Sequence, residues 1–148
     1  MHTIIPLKEL PIANSITDTP ILNCKKHNLE VLLCESCGLA QLKDLIDPKE
    51  LFLNYVYFSS NSETMLSSVS KLVNKITPNL SKDSLVIEIA SNDGYLLKSY
   101  LKYGVKILGI DPARNIAKAA NSNGIRTINE FFNFKLSVSL KKKDILLT

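Results

Sequence analysis

The sequence predicts an α/β fold: a partial parallel sheet in the second half, preceded by a small cysteine-containing module and two helices. Three observations predict it. Leu85-Val-Ile-Glu-Ile89 is a near-continuous apolar run, as a strand covered on both faces requires. Beyond it, apolar runs alternate with helical stretches, and strands separated by helices of that length build a parallel sheet with right-handed crossovers. Ahead of it, a Cys-x-x-Cys-Gly turn lies between two short apolar runs and is followed by two stretches with helix-start chemistry. These divide the chain into residues 1–46, an incomplete metal-binding-like module; 47–80, a helical segment; and 81–148, the first half of a nucleotide-type α/β domain.

Residues 1–23 carry turn chemistry (Pro6, Pro11, Asn14, Asp18, Pro20) and short apolar pairs only, so Leu10-Pro-Ile-Ala-Asn14 is expected to be extended. Leu29-Glu-Val-Leu-Leu33 predicts a short strand that runs into Cys34-Glu-Ser-Cys37-Gly38, and Leu39-Ala-Gln-Leu42 the returning strand. A tight turn of this kind converges two thiolates, and its glycine supplies the positive φ that the turn needs. Cys34 and Cys37 are therefore the candidate metal ligands. They make half of a four-ligand zinc site; Cys24 and His27 are the local candidates for the other half, and a reduced or redox-active dithiol is the alternative without metal.

Asp47-Pro-Lys-Glu50 is a helix start, and Leu51, Phe52, Tyr55 and Val56 recur at helical spacing up to a polar stretch near Tyr57–Asn61. Ser62-Glu-Thr64 caps a second helix through Met65, Leu66, Val69, Leu72, Val73 and Ile76, ended by Thr77-Pro78. In the second half the pattern predicts strand 85–90, helix 94–103 closed by Gly104, strand 105–110, helix 113–122, strand 125–128 and a last apolar piece from Asp144 to Thr148.

The chemistry concentrates where strand 85–90 gives way to Ser91-Asn92-Asp93-Gly94. Alternate positions from Glu88 are acid, Ala90, Asn92, Gly94: an acid and then three small residues, which let a ligand approach the backbone before a helix start. Asp111 ends the next strand about twenty residues on, where an acid in nucleoside-binding folds bonds the ribose hydroxyls. It also suits the cap of the helix that begins after Pro112.

Bulk properties exclude other classes. No apolar run is long enough to span a bilayer, and the N-terminus lacks a signal-peptide pattern, so no membrane role and a cytoplasmic location are expected. Three cysteines, an odd number, argue against a disulfide framework. The net charge is +4, but Lys141-Lys-Lys143 is the only tight basic run and has no aromatics among it. A solvated turn explains that run, and nucleic acid is not expected as a partner.

Four ordered stretches, Leu10-Pro-Ile-Ala-Asn14, Cys34-Glu-Ser-Cys-Gly-Leu-Ala-Gln-Leu42, Tyr55-Val-Tyr-Phe-Ser-Ser60 and Val86–Leu97 with Gly109-Ile-Asp-Pro-Ala113 and Asn115-Ile-Ala117, resemble the S-adenosylmethionine-dependent sugar C-methyltransferases. That family methylates C-3 of nucleotide-linked 4-keto deoxysugars. The resemblance implies a Rossmann-like, class I methyltransferase domain behind a zinc-ribbon-like module, with S-adenosylmethionine as cofactor and zinc as a second one. It implies that Glu88 and Ala90, Ser91, Asn92, Asp93 and Gly94 line the methionine end of the cofactor and that Asp111, with Pro112 beside it, holds the ribose. Tyr55, Tyr57, Ser59 and Ser60 would face the sugar or the cofactor, and Cys34 and Cys37 would bind zinc. The family's earlier Cys-x-x-Cys pair has no counterpart here, and its proton-abstracting residues lie beyond Thr148. The expected reading is therefore a truncated methyltransferase, inactive alone, that self-associates or pairs with a separately encoded C-terminal half. A cofactor-binding or zinc-module interaction protein without catalysis is the alternative.

Overall fold

The computed structural model describes residues 1–13, 18 and 24–142. The chain forms two compact units, Met1–Leu51 and Phe52–Thr148. Among the described residues no helix is long and apolar enough to cross a membrane.

The first unit is a three-stranded antiparallel sheet in the order β1-β2-β3, with β1 His2–Pro11, β2 Lys26–Leu33 and β3 Ala40–Leu42. The β2–β3 hairpin closes through the cysteine turn, where Cys34 N–H donates to the Leu39 carbonyl (2.9 Å) and Gly38 N–H to that of Cys34 (2.8 Å). The first strand exceeds what the sequence predicts. Prolines at 6 and 11 lower its strand propensity, yet both are tolerated at an edge, and the register shifts between Thr3 and Ile5 and between Pro6 and Lys8 absorb the irregularity. Lys8 sits at φ 62° beside the second shift. Asn14, the end of the Leu10–Asn14 motif, lies outside the described residues.

Helix α1 covers only Pro48–Phe52. Asp47 caps it, its Oδ1 accepting from Lys49 N–H at 2.8 Å. The predicted continuation through Tyr55 and Val56 is corrected: residues 53–58 leave the helix because their backbone is bonded elsewhere in the second unit, as described below. Helix α2 is Glu63–Ile76, as the sequence predicts, with Ser62 Oγ accepting from Met65 N–H at 3.3 Å.

The second unit's sheet is parallel, in the order β4-β5-β6: β4 Leu85–Ile89, β5 Lys106–Ile110 and β6 Thr127–Ile128. The predicted α/β class holds. Between the strands lie α3 (Tyr95–Lys98) and α4 (Arg114–Ser122), and α5 (Phe134–Lys142) follows β6. The predicted helix 94–103 is corrected: α3 is a single turn, and a 3₁₀ turn, Leu101–Tyr103, takes its place before Gly104. Helix α5 was not legible as a helix, and it takes up Lys141 and Lys142, which the sequence assigns to a turn. The apolar piece from Asp144 to Thr148 lies outside the described residues.

Side chains leave β4 and β5 alternately to two faces. Val86 and Ile107 pack with Val69 and Val73 of α2, Tyr100 and Val105, and next to them with Leu97, Ala120 of α4 and Ile125. Leu85, Ile87, Leu108 and Ile110 pack with Leu136 and Leu140 of α5. Both faces are thus covered, which is why these strands are apolar but for Glu88 and Lys106.

Candidate functional site

The C-terminal ends of the parallel strands carry the candidate site, the edge at which open α/β sheets take ligands. Immediately after β4 the backbone adopts an unusual alternation: Ala90 at φ 58°, Asn92 at φ 48° and Gly94 at φ 79° are all left-handed. These are the three small positions of the Glu-x-Ala-x-Asn-x-Gly pattern. The pattern therefore has a conformational cause besides close approach, since a bulky or β-branched residue in this region is a steric outlier. Two non-glycine residues held there mark stored strain, the kind that clusters at ligand sites. Beneath the turn, β5 passes so close that a Cβ on Gly109 would lie 2.5 Å from Ser91 Oγ and 2.7 Å from Thr127 Oγ1.

Asp111, at the end of β5, is buried and fully engaged with backbone. Its Oδ2 accepts from Asn92 N–H and its Oδ1 from Ala113 N–H, both at 2.9 Å. Asn129 Nδ2 donates to its carbonyl at 3.0 Å. The cap role that the sequence suggested for Asp111 is corrected: α4 begins at Arg114 with Ala113 as its N-cap and no side-chain cap bond, and the Asp111 carboxylate instead ties the turn after β4 to Ala113. Asp111→Ala leaves two amides without their acceptor and is expected to cost about 2–4 kcal/mol. Asp111→Asn, which keeps one acceptor, should lose about half of that in urea denaturation; equal losses in both would mean that charge, not bond count, sets the effect.

Three polar side-chain atoms around the turn are buried without a partner among the described residues: Glu88 Oε2, Ser91 Oγ and Asp93 Oδ1. Burial, then Asp111 and then Asp93, pushes the Glu88 carboxyl up to about 7. Glu88, Asp93 and Tyr57 together, after burial, raise the Tyr95 phenol above its ordinary value. The unpaired carboxylate oxygens of Glu88 and Asp93 disfavour one another, and a cationic ligand with hydroxyl or amine donors would relieve both; Ser91 Oγ is packed beneath the turn against β5. The residues present fit a sulfonium- and ammonium-bearing nucleoside in this respect.

The segment with Tyr55, Tyr57, Ser59 and Ser60 lies against the same turn. Asn92 Oδ1 accepts from Ser59 N–H at 2.9 Å, Asn92 Nδ2 donates to the Tyr57 carbonyl at 3.1 Å, and Asp93 Oδ2 accepts from Ser60 N–H at 3.3 Å. Ser59 is buried, whereas the Tyr57 side chain is 44% exposed and so free to meet a second substrate. The structure thus gathers Tyr55, Tyr57, Ser59, Ser60, Glu88, Ala90 to Gly94 and Asp111 with Pro112 at one end of the parallel sheet. Asn115, which the sequence gave no role, belongs to the same network: it bonds the Tyr55 backbone twice. The sequence marks it only within the Asn115-Ile-Ala117 stretch of the resemblance, and its partner is not legible there because it lies 60 residues away.

In the first unit, Cys34 and Cys37 share the turn after β2. Backbone N–H groups of Cys37 and then Ser36 bond the Cys34 sulfur and hold its thiol below the ordinary range, as a ligating thiolate requires. The local four-ligand alternative is corrected. His27 Nε2 is 3.1 Å from Glu50 Oε1, which also accepts from Lys25 Nζ at 2.8 Å. Among the described residues no three His, Cys, Asp or Glu side chains converge to hold a metal. Cys34 and Cys37 are thus two thiols, against the four ligands that a structural zinc takes.

The sequence matches known proteins in both units. A family named for methyltransferases and described as "Putative zinc binding domain" matches residues 1–52, close to the bounds of the first unit. The C-methyltransferase NovU of Streptomyces niveus is 36% identical over 102 residues, which are 68% of this chain and 24% of that protein. The match thus spans about a quarter of the length of the relative.

Proposed function

We propose that this chain, a relative of the sugar C-methyltransferases, binds S-adenosylmethionine at the turn after β4 and presents a nucleotide-linked 4-keto deoxysugar to it from the Tyr55–Ser60 segment. The observation that carries the reading is the pair of buried, unpartnered carboxylate oxygens, Glu88 Oε2 and Asp93 Oδ1, at the end of a parallel strand. The strand order β4-β5-β6, with helices between, is what one half of a Rossmann-like sheet would have, and its carboxyl end is the ligand edge.

In this reading Glu88 and Asp93 face the positive methionine end, where their charges stabilise a cation, and Ser91 supports the turn from beneath, against Gly109 and Thr127. Asp111 lies on the ribose side; each of its oxygens keeps a second lone pair beyond the backbone bond it already accepts. The cofactor, when bound, supplies an electrophilic methyl group. The sugar C-3 proton is acidified by the neighbouring ketone, and the enolate left on its removal needs donors placed where the charge develops. Tyr57, exposed beside the turn, is the donor this chain offers. The rest of its contribution is alignment, since holding sugar carbon and methyl donor in register lowers the entropic part of the barrier. The base is not assigned to a residue of this chain, and a nucleotide-linked sugar is the partner the reading requires. Cys34 and Cys37 would serve zinc as two of its ligands.

Titration calorimetry of the chain with S-adenosylhomocysteine tests the reading. One-to-one binding is expected, weakened at least tenfold in Asp93→Asn, which removes a charge facing the ligand. Absence of binding heat in the native sequence, with the fold intact by circular dichroism, overturns it.

A further inference from the structure

The segment from Leu53 to Phe58 belongs to no helix or strand, yet its backbone is held firmly. Its bonds come from two side chains and one helix start. Asn115 Oδ1 accepts from Tyr55 N–H at 3.1 Å while Asn115 Nδ2 donates to the Tyr55 carbonyl at 2.6 Å. A single carboxamide thus serves both polar groups of one residue, as a neighbouring strand would. Asn92 repeats the device further along, accepting from Ser59 N–H and donating to the Tyr57 carbonyl. Arg114 N–H, in the first turn of α4, donates to the Leu53 carbonyl at 3.1 Å. The clamps are themselves joined, since Asn92 N–H bonds Asp111, whose other oxygen bonds Ala113 two residues before Asn115.

We infer that Asn115 and Asn92 are positioning residues that clamp the Tyr55–Ser60 segment onto the turn after β4, so that filling the turn with a nucleoside ligand and ordering the segment are linked events. The clamp rests on geometry alone; the linkage also rests on the ligand reading above. Only a carboxamide of this length does the work. Aspartate offers no donor to the Tyr55 carbonyl and sets a charge against it, and alanine offers neither group. Coupling of this type requires each site to bias the same element, and Asn92 is the residue common to both. Tyr57 lies between the two clamps. Its backbone is therefore set above the turn by the asparagines.

The test is hydrogen exchange read by mass spectrometry on the full chain, comparing the native sequence with Asn115→Asp and Asn115→Ala, without and with S-adenosylhomocysteine. Without ligand, both variants should exchange amides of residues 55–60 about tenfold faster, the loss of one net hydrogen bond's worth of protection, while β4 and β5 stay protected. With ligand, the native chain should gain protection in the turn and in 55–60 together, and Asn115→Asp should bind about tenfold more weakly. Unchanged exchange at 55–60 in Asn115→Asp overturns the clamp, and so does loss of protection throughout the sheet in both variants, which would make Asn115 a general structural residue. A ligand that protects the turn but not 55–60 overturns the linkage. If the native chain binds no ligand, the reading under Proposed function fails, and the ligand-free comparison still decides the clamp.

Discussion

Gly94→Ala is expected to destabilise the second unit by about 2–4 kcal/mol and to abolish binding at the turn. Roughly 1 kcal/mol comes from forcing an L-residue to a left-handed φ and the rest from overpacking. Gly94 sits at φ 79°, and a Cβ there would lie 2.6 Å from Cγ2 and 2.9 Å from Cβ of Ile125. Ile125 cannot give way easily. It is 1% exposed and packed between Leu97 and Ala120. Gly104→Ala is the internal control. Its φ is 66°, but nothing lies within 4 Å of the added carbon, so only the conformational part, about 1 kcal/mol, should be lost. Urea midpoints of the two variants measure the difference. Equal losses would show that backbone strain alone acts at Gly94 and that Ile125 does not hold the turn in place.

Glu88→Gln should separate stability from binding. In the folded chain the Glu88 carboxyl keeps its proton up to about 7, whereas the unfolded chain loses it near 4.5. The stability linked to this group is therefore complete below the unfolded value and is lost as pH rises from there to the folded value. Because the side chain is only half-buried, solvent reduces the effect, and about 1–2 kcal/mol is expected by pH 8. Glutamine cannot ionise. The variant should match the native chain at pH 4.5 and exceed it at pH 8 by that amount. Binding should run the other way. A cationic ligand prefers the ionised carboxylate, so native affinity for S-adenosylmethionine should rise about tenfold from pH 6 to pH 8, and the variant should bind weakly with no such slope. Identical pH profiles in both proteins would remove Glu88 from the ligand site. A gain in stability with a loss of binding is the pattern of a site held in a strained, repulsive state for its ligand.

The elements that depend on local chemistry were legible. Helix Glu63–Ile76 follows from Ser62 at its cap and Pro78 beyond its end, and strands Leu85–Ile89 and Lys106–Ile110 from apolar runs between polar turns. The pattern at 88, 90, 92 and 94 marked the turn, although smallness was read as room for a ligand and the left-handed backbone became visible only in the fold. Other elements were lost for identifiable reasons. The ten-residue β1 is exposed along its whole length, so no burial pattern announces it; pairing with β2 makes it a strand. The spacing of Phe52, Tyr55 and Val56 imitates a helix, but the Tyr55 backbone is claimed by Asn115. Helix α5 lacks a clear apolar stripe in sequence because few of its residues, Leu136 and Leu140 among them, reach the core.

By itself the sequence determined strands β2 to β6 and helices α2 and α4, which turn carries small residues behind an acid, and which two thiols share a knuckle. All of these are set by interactions within a few residues along the chain, where side-chain size, caps and periodicity act directly. The tertiary structure alone decided that Asp111 binds the turn after β4, that Asn92 and Asn115 hold the Tyr55–Ser60 segment, and that three oxygens are buried without partners. Those bonds join residues 19, 33 and 60 positions apart. A polar group's partner over such separations is fixed by how the sheet brings its strand ends together, and no local pattern encodes it.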